Sequence, residues 1–160
     1  MVIKNGALVV EKYKPATQEK IIAAEDLIRE KVADGTYAEP EILIEDYYAD
    51  RVYGRVMKVM DPGTMITGEA HKTEHIFVLM KGTLQVSMDD GSVETIIAPH
   101  IMVVPGGKKK IGYCIDEVWC ASFHPDPRNS RDVEKIKKRI LYPERKYRTM
   151  IANQNRDLLE

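Results

Sequence analysis

The sequence is poor in cysteine and has no long apolar run. Its two cysteines, Cys114 and Cys120, do not have the spacing of a zinc-binding pair. Because no export signal accompanies them, we do not expect a structural disulfide, and we interpret both as small buried hydrophobic residues. No apolar run approaches the ~20 residues that cross a bilayer, so we expect no membrane segment.

The N-terminal residues also lack the basic region, apolar segment and cleavage site of a signal peptide. We therefore expect synthesis in the cytoplasm without secretion. The formal net charge of −1 argues against general attraction to nucleic acid or anionic lipid. A length of 160 residues, with 44% apolar and 31% charged residues, is typical of one globular unit.

Helical patterns flank the middle of the chain. Residues 17–35 have an apolar stripe of helical period, with Thr17 as the predicted N-cap and Gly35 as the left-handed residue that ends the helix. A second helix is predicted near the C-terminus, capped by Asn129 or Ser130. The tail beyond it is polar and basic, a composition that frays in solution.

Between these helices, residues 42–123 consist of short β-rich runs separated by turn signals. Asp89-Asp90-Gly91 is a strong hairpin signal between two of the runs. Strands this short and this regularly punctuated predict a mainly β barrel or sandwich whose edges are closed or covered.

Two of the four histidines lie close together in the stretch GEAHKTEHIFVLMKG, residues 68–82. Residues two apart in a strand point to the same face, so Glu69 and His71 are expected to project together. A short turn then brings His75 to the same interior. One carboxylate and two imidazoles suit a divalent metal such as Fe(II), Mn(II), Ni(II) or Zn(II), with open positions. The alternative is a hydrogen-bonded polar cluster inside the barrel.

The same stretch also satisfies the pattern H-x-x-E-H of one class of zinc peptidase, through His71, Glu74 and His75. That chemistry requires a helix. The β-branched and apolar residues on both sides favour strands, so we expect Glu74 to lie outside the site.

The remaining candidates have structural interpretations. His100 follows a proline at a strand start and is expected at a turn. His124 ends a strand and is expected to satisfy local backbone groups. Trp119, Ala121 and Phe123 lie two apart on the last strand, so they share one face, which we interpret as barrel packing.

The strand series with GEAHKTEHIFVLMKG and PGGKKKIGY resembles the cupin family. The resemblance covers about residues 50–124 and implies a cupin-like antiparallel β-barrel, the double-stranded β-helix, with flanking N- and C-terminal helices. The implied division is an N-terminal arm and helix at 1–50, the barrel at 51–125, and a C-terminal helix and tail at 126–160.

The family's first motif holds two histidines, a glutamate and a closing glycine. Aligned on Gly82, Glu69 takes the place of the first histidine, His71 that of the second, and His75 that of the carboxylate. In the second motif, P-x-G-x-x-H, Lys110 stands where the fourth ligand would be. This exchange implies that Lys110 pairs with Glu69 or offers a positive charge to an anionic ligand.

A narrower resemblance joins HKTEHIFVLMKG, PGGKKKIGY and VWCASFHP to small cupin-like proteins encoded by tailed bacteriophages. It implies a phage or prophage origin, with the protein as a virion component or a host-takeover factor. The first hypothesis is therefore a non-catalytic phage structural or accessory protein, made in the host cytoplasm and incorporated into an oligomer or a virion, with or without a bound divalent metal. We expect the N-terminal arm and the tail to be held by a second copy or by other virion proteins, with no specific nucleic acid as partner.

The second hypothesis is a metal-dependent cupin enzyme, an isomerase, lyase or dioxygenase acting on a small anionic molecule. Glu69, His71 and His75 would then hold the metal. Lys110 or Tyr113 would anchor or protonate the substrate.

Overall fold

The computed structural model describes residues 2–4, 7–9, 18–88 and 91–157, with side chains for 18–88 and 91–154. In the described chain the strands are β1 (Val2–Lys4), β2 (Ala7–Val9), β3 (Ile42–Ala49), β4 (Val52–Val59), β5 (Met65–Thr67), β6 (His75–Lys81), β7 (Thr83–Ser87), β8 (Val93–Ile97), β9 (His100–Val104), β10 (Ile111–Cys114) and β11 (Val118–Pro125). The helices are α1 (Gln18–Ala33), α2 (Val133–Ile140) and α3 (Glu144–Asp157). No helix among the described residues has the length and apolar character needed to cross a membrane.

Two antiparallel sheets face each other. One has the strand order β3-β4-β11-β6-β9, and the other has the order β5-β10-β7-β8. Between β4 and β11 the chain passes back and forth between the sheets in the order of an eight-stranded double-sheet jelly roll, the architecture of cupins. The predicted mainly β, cupin-like fold with flanking helices is confirmed. β3 lies within the segment assigned to the N-terminal arm and helix, and it extends the larger sheet by pairing with β4 along its whole length.

The core lies between the sheets. Every second residue of β6, β11 and β4 points inward, so that Leu79, Val118 and Val59 meet there with no exposed surface. Cys114 and Cys120 belong to the same cluster and are free thiols. The interpretation of both cysteines as small buried hydrophobic residues is confirmed.

Several predicted local structures are present. Gly35 follows α1 with a φ of 78°, the left-handed conformation expected of a residue that ends a helix. β7 and β8 form the predicted hairpin, with Gly91 at a φ of 84°. The predicted N-cap Thr17 and the turn residues Asp89 and Asp90 lie outside the described residues.

The C-terminal segment differs from its prediction in two ways. The N-cap of α2 is Asp132, whose carboxylate accepts hydrogen bonds from the backbone amides of Glu134 and Lys135, whereas Asn129 or Ser130 had been predicted. The tail, for which no helix is predicted and whose polar composition favours fraying, forms α3. This helix is held because Tyr147 and Ile151, four residues apart, share one face and are buried in a cluster with Ala70.

A buried lysine connects two of the three described helices, α1 and α3, to the jelly roll. The ammonium of Lys109, in the turn before β10, lies 2.7 Å from a carboxylate oxygen of Glu25 in α1 and 2.8 Å from one of Glu144 in α3. The Lys109 amide donates to the side-chain oxygen of Gln18 at 2.7 Å, and the hydroxyl of Tyr147 donates to the same oxygen. One turn of the barrel therefore fixes the first turn of α1 against α3.

Candidate metal centre

Three histidine rings lie together at one end of the space between the sheets. His71 lies in the extended segment before β6, His75 is the first residue of β6, and His124 is near the end of β11. The ring centroids are 4.3 Å apart for His71 and His75, 4.8 Å for His71 and His124, and 4.6 Å for His75 and His124. One ring nitrogen from each histidine can be chosen so that all three lie within 4.8 Å of one another, which suits a shared metal ion.

The backbone around His71 is not helical. It forms an isolated antiparallel bridge with Leu141, and β6 begins four residues later. Glu74 is exposed. The H-x-x-E-H pattern therefore lacks the helix on which a zinc peptidase depends, as the sequence analysis expected.

The position of His71 depends on the C-terminal helices and on the second-motif turn. The Lys72 amide donates to the carbonyl of Ile140 at 2.7 Å, and the Tyr142 amide donates to the carbonyl of Ala70 at 2.9 Å. On the other side, the Gly107 amide donates to the carbonyl of His71 at 2.7 Å. His71 thus lies on backbone that is hydrogen-bonded on both sides.

Burial keeps the three imidazoles neutral. Desolvation, with an added contribution from its histidine neighbours, lowers the pKa of His124 to about 3. Desolvation and then His75 lower the pKa of His71 to about 4, and desolvation lowers the pKa of His75 as well. Neutral imidazole is the form that binds metal ions, so the site is in its metal-binding protonation state at neutral pH.

Two ring nitrogens of the site are unsatisfied. Among the described residues, Nδ1 of His75 and Nδ1 of His124 are buried and have no hydrogen-bond partner. Leaving a buried polar atom unpaired costs about 1–3 kcal/mol. The other nitrogen of His124 lies 3.3 Å from the hydroxyl of Ser122, an outer contact of the kind that orients metal-bound histidines. The residues present therefore fit a metal ion.

The five predicted site residues do not all lie in one cluster. His71 and His75 are brought together, and His124 completes the group. Glu69 is exposed and lines the same cavity as His71, but it is not part of the three-residue cluster. Lys110 also lines this cavity, and its ammonium lies 3.4 Å from the carbonyl of Ser87. The assignments of Glu69 and Lys110 stay predictions.

Tyr113 lies elsewhere. Its neighbour Gly112 lines the cavity beside His71, whereas Tyr113 lines a separate pocket with Ile28 and Pro62. The alternation of β10 places the two residues on opposite faces. The ligand-binding role predicted for Tyr113 therefore concerns a different cavity from that of Lys110.

His124 is the site residue that sequence reasoning missed. Of Trp119, Ala121 and Phe123, interpreted together as barrel packing, only Ala121 is buried. Phe123 is exposed on the outer face, and the Trp119 ring lies beneath the ammonium of Lys58 at 4.9 Å. The alternate residues of β11 point inward, and they end at His124. The signal that finds His124 is the small buried Cys120, which marks the inward face of the strand.

Two spaces meet at His71. An inner chamber of about 150 Å³ extends between the sheets and is bordered by His71 and His75. An outer groove of about 780 Å³ runs past His71 and His124, between α1, the inner face of β3 and β4, and the end of α2. The three histidines therefore stand at the junction of a wide groove and a small chamber.

This chain is similar in structure to several solved proteins. The EutQ protein of Clostridium difficile is 15% identical over 57% of this chain and 74% of its own, with a TM-score of 0.46. KdgF from Halomonas is 14% identical over 58% and 87%, with a TM-score of 0.47. A cupin-2 domain protein of Shewanella frigidimarina is 20% identical over 64% and 97%, with a TM-score of 0.40.

No protein-family model matches the chain, and no curated protein does. The fold assignment rests on the strand order of this chain. By that order, the chain has a cupin-like jelly-roll fold.

Proposed function

We propose that this protein binds a divalent first-row transition metal through His71, His75 and His124 and acts on a small molecule in the adjoining cavity. The observation that supports this proposal is the cluster itself: three neutral imidazoles with ligand atoms within 4.8 Å of one another. The unpaired Nδ1 atoms of His75 and His124 would be satisfied by the metal.

His71, His75 and His124 would hold the metal, and the bound metal would supply Lewis acidity to polarise a substrate oxygen or to lower the pKa of a water molecule. The chain's own residues would supply the rest. Glu69, which is exposed and lines the cavity, would serve as a further ligand or accept a proton. The positive charge of Lys110 favours an anionic substrate. An isomerase, lyase or dioxygenase is the class of enzyme we propose.

Elemental analysis of protein purified without added metal tests this proposal. We expect about one metal ion per chain in the parent, and loss of that metal in the variants His71→Ala, His75→Ala and His124→Ala. His100→Ala is the matched control, because the His100 side chain does not belong to the cluster. A parent protein that is metal-free and takes up no Fe(II), Mn(II), Ni(II) or Zn(II) on dialysis contradicts the proposal.

The same experiment separates two ligand sets. If Glu69 is a ligand, Glu69→Gln reduces metal content as much as a histidine variant does. If the metal rests on the three imidazoles alone, Glu69→Gln retains the metal and His124→Ala loses it.

As a second candidate function, we propose a non-catalytic accessory protein that assembles through the larger sheet. In a narrower form of this proposal, the protein belongs to a tailed phage. The outer face of this sheet carries exposed apolar side chains on all five strands: Leu43, Tyr47, Val52, Ile76, Ile101, Val103 and Phe123. Exposed apolar patches of this extent mark interaction sites. We propose a second copy of the chain as the partner, with the two sheets packed face to face.

The size of this face fits such a dimer. Five strands at ~4.8 Å spacing, each with about seven residues rising ~3.3 Å, cover roughly 550 Å² per copy. Two faces would bury about 1,100 Å², above the ~1,000 Å² expected of a specific interface. The ion pair between Lys58 and Glu45 lies within the sheet and leaves no net charge to repel an identical face.

Light scattering on purified protein tests the dimer. We expect a dimer in the parent and a monomer in Ile101→Lys. Ile97→Lys is the matched control, since Ile97 is equally exposed but lies on β8 of the smaller sheet. A monomeric parent contradicts the assembly proposal, and absence of the protein from purified virions contradicts its phage form.

A further inference from the structure

The inner chamber has a polar end and an apolar interior. Along β6, His75 borders the mouth, Phe77 forms part of the wall, and Leu79 is fully buried in the packed core. The wall is completed from both sheets by Ile66, Leu84, Val86, Met102 and Val104. The chamber is therefore blind, open at the histidines and closed by the core.

The chamber volume of about 150 Å³ indicates what it can hold. An engineered apolar cavity of ~150 Å³ in another protein stays dry and binds benzene or xenon. A buried water needs 2–4 polar partners, and the residues deeper than the histidines are almost all apolar. An apolar group of about six carbon atoms satisfies this space better than water does.

The cationic residues lie at the other end. Lys110 follows the turn at the mouth, where its backbone carbonyl accepts a hydrogen bond from the Gly68 amide at 3.0 Å. Lys108 also lines the chamber. A ligand with an apolar end inside and an anionic end at the mouth would match both regions.

We propose that the chamber is a subsite for the apolar end of a small amphipathic anion, a ring or branched group no larger than benzene. Its anionic end lies at the histidines and Lys110. The placement of that end rests on the proposed function, whereas the apolar subsite rests on the volume and walls of the chamber.

Benzene and benzoate are suitable probes, with naphthalene as an oversized one. In methyl NMR of the whole chain treated with EDTA, benzene should shift the signals of Leu84 and Val86, and naphthalene should not. Benzoate should bind more tightly than benzene, and Lys110→Met should remove at least threefold of its affinity. Shifts confined to the exposed outer residues, or no shift at saturating benzene, overturn the subsite.

A substitution that fills the chamber with a larger side chain can be compared with the same substitution outside it. Val86→Phe should weaken benzene binding at least tenfold. Val93→Phe, the same substitution at an exposed residue of β8, should leave it unchanged. Xenon should shift the methyl signals of Leu84 and Val86 in the parent protein. This measurement tests the chamber without depending on whether a variant folds. Equal benzene affinity in both variants overturns the proposal.

Metal uptake, measured on the same preparations after the EDTA has been dialysed away, separates this inference from the proposed function. Metal uptake without benzene binding overturns the subsite and leaves the metal proposal standing. Benzene binding at the chamber without metal uptake supports the subsite and contradicts the metal proposal.

Discussion

Replacing Lys109 with methionine is expected to destabilise the protein more than any surface substitution of a lysine. The Lys109 side chain is 1% exposed and that of Glu25 is 6% exposed. Methionine keeps the length of the apolar stem but removes the charge, so the Glu25 carboxylate stays buried without its closest partner. Removing one member of a buried ion pair costs about 3–5 kcal/mol.

The surroundings place the expected loss at the lower end of that range. Arg29 remains 2.8 Å from Glu25, but its side chain is 60% exposed and compensates only from the solvent side. Glu144 is partly exposed and keeps Arg148 at 2.7 Å, so it contributes little to the loss. We expect about 3 kcal/mol, which lowers the melting temperature by about 6–12 °C in a chain of this length.

Urea unfolding followed by circular dichroism, in EDTA so that bound metal does not add stability, measures this loss. Lys135→Met is the control, because the Lys135 side chain is 75% exposed and its pair with Asp132 should contribute less than about 1 kcal/mol. Adding Glu25→Leu to Lys109→Met should restore part of the lost stability, since no charge then stays buried. A Lys109→Met variant within about 1 kcal/mol of the parent would refute this reasoning.

Two further predictions concern pH and a turn. The pKa values of about 4 for His71 and about 3 for His124 lie below 6.5, so the unfolded chain binds more protons at acidic pH. Metal-free protein should therefore lose stability as the pH falls from 6.5 towards 4, by up to ~1.4 kcal/mol per histidine per pH unit, and equal urea midpoints at pH 7.5 and 5 would contradict this. Gly82→Ala should cost more than about 2 kcal/mol, because φ is 90° and the new Cβ would lie 2.2 Å from the Glu117 carbonyl oxygen. Gly35→Ala, with a φ of 78° and open space around it, should cost about 1 kcal/mol, and equal losses in the two glycine variants would show that the contact does not matter.

Local patterns in the sequence predict most of the sheet. Turn residues separate the strands, and the alternation of apolar residues identifies which segments are extended. The β context of residues 68–82 is sufficient to reject a helical zinc motif and to place His71 and His75 together. These predictions succeed because they depend on neighbours in sequence.

The features that were missed depend on long-range pairing. His124 lies 49 residues after His75, and only the antiparallel pairing of β11 with β6 brings their rings together. The outward face of β11 carries Trp119, Ala121 and Phe123 and is the more apolar of the two, so hydrophobicity alone predicts the wrong face as inward. Lys109 lies beside Lys108 and Lys110 in a run typical of a solvated loop, and its burial follows from Glu25 and Glu144 on two distant helices.

The hydrogen bonds from Lys72 to Ile140 and from Tyr142 to Ala70 make the C-terminal helices part of the metal centre's framework. A chain shortened after β11 would retain every strand of the jelly roll and all three histidines. It would nevertheless lose the backbone partners that hold His71 beside the other two rings. The smallest unit that binds metal is therefore longer than the barrel itself. It extends at least through Tyr142.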